Sequence, residues 1–236
     1  MKKLTFMTRE VMDKYKSLGY DLNEYIPFDE QTNEDCIDIV SQDGLKLEFV
    51  KKQTPELCKK AIRNNPHALQ YVEHQTMDLC KMAIEKDPDC LQYVGYSPLI
   101  NRKELYMIAV RNRADVIRFI ENPDEDVCMA AVMNRGSVIN LIENPSEEVC
   151  LAAVTKDPIS IIYINDPSDA VCLEVVRNSE IGLKYIKNQT EKICTLAVIY
   201  NPRSIRFVKN QTPELCELAL RVASLMKIDI AEYINC

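Results

Sequence analysis

The chain has 236 residues, 47% of them apolar, and a net charge of −7. The acidic balance argues against an unspecific nucleic-acid binder, whose affinity comes from neutralising phosphates, and against an anionic membrane surface. No apolar run approaches the ~20 residues that span a bilayer, and Arg9 and Glu10 follow Met1-Lys2-Lys3 too soon for a signal peptide; the expectation is a soluble, cytoplasmic protein.

Residues 1–30 are expected to form an N-terminal capping segment with a helix over residues 9–18. A single repeat domain is expected over residues 31–236. Cys36, Cys58 and Cys80 are 22 residues apart. Tyr106 takes the next place after four extra residues, and Cys128, Cys150, Cys172, Cys194 and Cys216 resume the step. A fixed period of this kind is the signature of a repeat architecture.

Residues 53–74 show what each position is for. Thr54 suits a helix N-cap and Pro55 the first helical position, where its missing N–H costs nothing. The cap slot recurs as Thr32, Thr76, Asp124, Ser146, Ser168, Thr190 and Thr212, with Arg102 as the exception. Leu57, Cys58, Ala61 and Ile62 then share one helical face. Asn65-Pro66 breaks the helix, as do Asp87-Pro88, Asp157-Pro158 and Asn201-Pro202. A second, shorter helix carries Leu69, Tyr71 and Val72, and its aromatic recurs in nearly every unit, a stripe at helical spacing that reads as core. No unit buries its apolar face alone, so the units must stack. The prediction is all-α: an α-solenoid of about nine tandem 22-residue helix-pair repeats with N- and C-terminal caps.

Further along the chain the pattern departs from itself twice. An insertion near residues 95–101, with Tyr96 and Leu99, predicts a bend or a protruding contact loop. The residue after the Cys is charged in Lys59 and Lys81 but apolar in Met107, Met129, Leu151 and Leu173. These four, with Tyr96 and Leu99, are the candidate partner-binding residues, read either as an exposed strip or as a wider buried face. Arg63, Arg111, Arg177 and Arg221 share one helix position and form a candidate secondary charged track. The last repeat, residues 212–236, is lengthened by four residues, as suits a cap.

The chain offers little chemistry. The ladder of cysteines reads as small core side chains, spaced too widely for disulfides or a zinc site. Cys90 and Cys236 fall outside the register and read as the more reactive pair. His67 and His74 read as solvated polar residues. Five scattered glycines form no phosphate-cradling loop. No catalytic residue, metal site or cofactor is predicted, and the chain does not read as an enzyme.

The unit Gln-Thr-Pro-Glu-Leu-Cys-x-x-Ala-Ile-x-x-Asn-Pro-x-Ala-Leu-x-Tyr-Val, seen in residues 53–72, 75–94 and around 189–216, resembles the short helix-pair repeats of the family catalogued as domain of unknown function 4116. Weaker copies extend the resemblance over most of the chain. It implies a tandem array of a kind frequent in large DNA viruses and phages, and hence a viral or phage interaction protein acting in host cytoplasm. The expected function is a non-enzymatic scaffold that binds another protein, such as a host defence component of the nuclease-complex or CRISPR type. The alternatives are a small-ligand or nucleotide sponge and a structural protein that self-assembles, with a homodimer formed through the apolar strip.

Overall fold

The structure is a computed structural model and describes residues 5–7, 9–19, 25–27 and 32–235. Ahead of the array, strands β1 (Thr5–Met7) and β2 (Tyr25–Pro27) pair in parallel and flank helix α1 (Arg9–Ser17) in sequence. The helix was expected; the strand pair was not, because three residues carry no readable alternation. The rest of the capping segment lies outside the described residues.

The repeat array is all-α. Its α-helices are α2 (Asn33–Gln42), α3 (Pro55–Asn64), α4 (Met77–Lys86), α5 (Arg102–Asn112), α6 (Glu125–Asn134), α7 (Glu147–Lys156), α8 (Asp169–Asn178), α9 (Glu191–Tyr200) and α10 (Pro213–Met226). Each is followed by a short 3₁₀ helix, beginning with Gly44–Phe49 and Pro66–Tyr71 and ending with Ala231–Tyr233. The predicted second helix is therefore a 3₁₀ turn, and a cap explains it. Asn65 ends α3 in extended geometry, and its N–H still donates to Ala61 O at 2.8 Å. Its side-chain oxygen then accepts from His67 N at 3.0 Å. Asp43, Asp87, Asp157 and Asn201 repeat that Asx turn, which restarts the chain in the tighter helix.

The chain groups into two compact units, Met1–Asn112 and Arg113–Cys236. In the first, α2 packs on α3, α3 on α4 and α4 on α5. In the second, α6 to α10 pack each on the next, and so do the successive 3₁₀ helices. The core is what the period predicts: Leu57, Ala61, Ile62 and Leu69 are 0% exposed, as are Val127, Ala131 and Val132. Burying such aliphatic side chains is worth about 1.5–3 kcal/mol each. Layers touch closely at the start of the 3₁₀ helix. A Cβ on Gly44 would sit 2.2 Å from Ala61 O, and one on Gly136 2.5 Å from Ala153 O.

Two details of register differ from expectation. Helix α5 begins one residue early and is capped by Asn101, whose Oδ1 accepts from Glu104 N at 3.2 Å. Arg102, the poor cap, is thus already helical. Cys90 is not out of register: it fills the small-residue slot of the 3₁₀ helix that Ala68, Val116 and Val138 fill elsewhere, and at 0% exposure it is closed to reagents. Helix α10 is longer, as the extra residues predicted, and ends at Lys227 in the left-handed region, φ 57°.

Candidate functional site

The loops between a 3₁₀ helix and the next α-helix form one edge of each unit, and their wiring follows a rule. Five residues before the Cys stands a glutamine in several repeats. Gln75 Nε2 donates to Tyr93 O at 2.8 Å and to Leu69 O at 3.1 Å, while its Oε1 accepts from Gly95 N at 2.8 Å. Gln189 makes the same bonds to Phe207 O, Leu183 O and Lys209 N, and Gln211 to Tyr233 O, Ile205 O and Asn235 N. Gln53 takes Tyr71 O and Glu73 N. One carboxamide therefore pins the loop of the next layer by its part-buried carbonyl and its exposed N–H.

The recurring cysteine serves this clamp. Cys58, Cys80 and Cys194 direct their thiols at the glutamine oxygen at 3.6, 3.8 and 4.0 Å. Burial raises the pKa of each, and pushes Cys80 up to about 11 against the opposing pull of Arg102, so the thiols stay protonated weak donors. Burial likewise raises Cys36, Cys128, Cys150 and Cys172. Cys216 corrects the reading of the ladder as thiols throughout. It is disulfide-bonded, so its 3.6 Å approach to Gln211 Oε1 is a contact without S–H donation. Cys236 lies outside the described residues.

Three consecutive repeats lack the glutamine and carry Pro123, Pro145 and Pro167 instead. The residue before each proline is left-handed: Asn122 at φ 49°, Asn144 at 48° and Asp166 at 54°. Few non-glycine residues adopt this conformation, and asparagine and aspartate are the ones that tolerate it best. Here the thiols of Cys128 and Cys172 turn to the proline carbonyls at 3.7 and 4.0 Å. Clefts open at all three places. That of about 590 Å³ is lined by Pro123, Leu141 and Glu143, that of about 850 Å³ by Pro145, Tyr163 and Asn165, and that of about 140 Å³ by Pro167, Tyr185 and Lys187.

At the insertion, Asn101 stands in the glutamine slot and the next residue, Arg102, ties the loop. Its Nη1 donates to Gly95 O at 3.2 Å and its Nε to Tyr106 OH at 2.9 Å. The insertion presents Tyr96 and Leu99 at 93% and 88% exposure, the most open large apolar side chains described. Met107, Met129, Leu151 and Leu173 are half-buried. Their slot is half-buried from α2 to α9 and exposed only at Glu217 of α10, which no further α-helix follows among the described residues. Lys81 in the same slot pairs with Glu104 of α5 at 2.5 Å. In the second unit, Met129, Leu151 and Leu173 therefore line the seams between successive helices, leaving only an edge to solvent.

Arg63, Arg111, Arg177 and Arg221 are exposed, and Arg177 and Arg221 pair locally with Glu174 and Glu217. His67 is not merely solvated: Nε2 lies 2.9 Å from Asp87 Oδ2 and Nδ1 3.3 Å from Tyr93 OH, tying one layer to the next. The aromatic stripe is half-buried rather than core, with Tyr163 at 44% exposure. Preceding cations cover some of its rings, Arg118 over Phe119 and Arg206 over Phe207 at 4.6 Å. The glutamines have a signal in the sequence, since Gln-Thr precedes Cys at fixed distance in several units, the threonine as helix cap and the glutamine as clamp. Comparison with family models, with curated proteins and with solved structures finds no match for this chain.

Proposed function

We propose that the chain is a non-enzymatic repeat scaffold that binds another protein. The observation that carries this reading is the insertion, where Tyr96 and Leu99 stand at 93% and 88% exposure between repeats whose other large apolar residues are buried or half-buried. A loop tied at its base by Gln75 and Arg102 presents them without a large ordering cost, as suits anchors of an interface. The net charge of −7 complements a basic partner surface. Tyr96→Ala with Leu99→Ala touches no core residue, so the double variant should keep its melting temperature and lose most of the partner captured by the wild-type chain. Full retention of the partner would refute the reading.

A second reading, self-association, has its own observation. Helix α10 leaves Leu220, Leu225 and Met226 at 46%, 85% and 48% exposure, an apolar end that a second copy could cover.

A further inference from the structure

We infer that the three clefts at Pro123, Pro145 and Pro167 are receptor sites for side-chain carboxamides, and that together they hold a basic, glutamine-bearing peptide in extended conformation. This rests on the protein-binding reading and names the class of partner. The template is internal. In the flanking repeats, Gln75, Gln189 and Gln211 fill the same place, satisfying a carbonyl 18 residues on and an N–H 20 residues on. In the central repeats the corresponding groups are the carbonyls of Leu141, Tyr163 and Tyr185 and the N–H groups of Glu143, Asn165 and Lys187. No hydrogen bond from the described chain reaches any of the six. Each pair belongs to the residues lining its own cleft, together with the proline that replaced the glutamine.

Cleft volume is not what sets the three apart, since a further cleft of about 500 Å³ has Gln189 among its walls; the unmet backbone groups are. Three observations therefore coincide at three successive loops: a missing glutamine, a left-handed residue and an unpaired backbone pair. Their coincidence at one edge of three adjacent layers points to use rather than to accident.

Charge selects the occupant further. Glu121, Glu125 and Glu143 line the first cleft against Arg118, Glu143, Glu147 and Asp166 the second, and Asp166 and Asp169 the third against Lys187, so acids outnumber cations in each. Packed helices repeat at about 8–10 Å, and three residues of an extended polyproline-type peptide span about 9 Å. Glutamine at every third position, with basic or proline spacers, meets one cleft per turn.

The test uses the full chain and a labelled peptide of three Gln-Pro-Lys units, read by fluorescence anisotropy. The same peptide with leucine for glutamine should bind about tenfold more weakly or worse, a loss of 1.4 kcal/mol. Pro145→Gln rebuilds the internal clamp, so it should raise the melting temperature while weakening peptide binding by about tenfold. Equal affinity for the glutamine and leucine peptides, no binding of the glutamine peptide, or unchanged binding by a folded Pro145→Gln chain would each overturn the inference. The leucine comparison needs only the wild-type chain, so misfolding of a variant cannot shelter the proposal. Failure here with Tyr96- and Leu99-dependent capture intact removes this inference alone; loss of that dependence alone removes the broader reading.

Discussion

At the scale of single residues, the cysteine ladder and the glutamines form one device. A thiol is small enough for the close layers and still donates weakly to an amide oxygen, which alanine cannot do. The period was plain in the sequence, but the reason for a cysteine was not, because its partner lies five residues back and acts across layers. Removing a clamp leaves the next loop with an unpaired carbonyl and N–H. Gln75→Leu should therefore cost about 1–3 kcal/mol, a drop of several degrees in thermal melting; an unchanged midpoint would deny the clamp its role. The raised thiol values carry a pH signature. The unfolded chain releases these protons near the ordinary value of 9.0, whereas folded Cys80 holds its proton to about 11. The thiol contribution is thus intact below pH 9 and is lost as pH climbs toward 11. Melting between pH 8 and 10.5 should fall more steeply in the wild type than in Cys80→Ala, and equal slopes would contradict the buried, protonated thiol.

At the scale of elements, each α-helix is bounded by chemistry that the sequence states openly. Ser146 caps α7 by accepting from Val149 N at 3.2 Å and also donates to Glu125 of α6 at 2.7 Å. Ser146→Ala removes both and should cost about 1 kcal/mol or somewhat more, measured by urea unfolding; a cost near zero would show that neighbouring layers supply the cap. What the sequence hid was helix type and register. Asn-Pro signals a break, and nothing in it distinguishes a 3₁₀ restart from a short α-helix, since both place Leu69 and Val72 inside. The cap of α5 sits one residue earlier than the period places it: Leu105, Tyr106 and Ala109 keep the register of Leu57, Cys58 and Ala61, and the extra residue enters at the helix N-terminus. The candidate strip was read as one of two things from side-chain type alone. Only coordinates show that its slot is the seam between helices, visible in the contrast between half-buried Leu173 and exposed Glu217.

At the scale of the molecule, every layer within a unit rests on its neighbours and little else. Stability is then close to a sum of repeat and interface terms, and one layer should be dispensable if its neighbours can meet. The second unit offers a clean excision. Deleting residues 146–167 joins Pro145 to Ser168 and restores the Asn-Pro-Ser turn, placing Val171, Cys172, Val175 and Val176 where Val149, Cys150, Ala153 and Val154 stood. Deleting residues 146–156 removes half a period and puts a 3₁₀ segment where an α-helix must pack. Thermal unfolding followed by circular dichroism decides the matter. Stacked interchangeable layers predict a cooperative melt and undiminished helicity per residue for the full-period deletion, and collapse for the half-period one. Loss of folding in the full-period deletion, or equal tolerance of both, would contradict a shared interior built layer on layer.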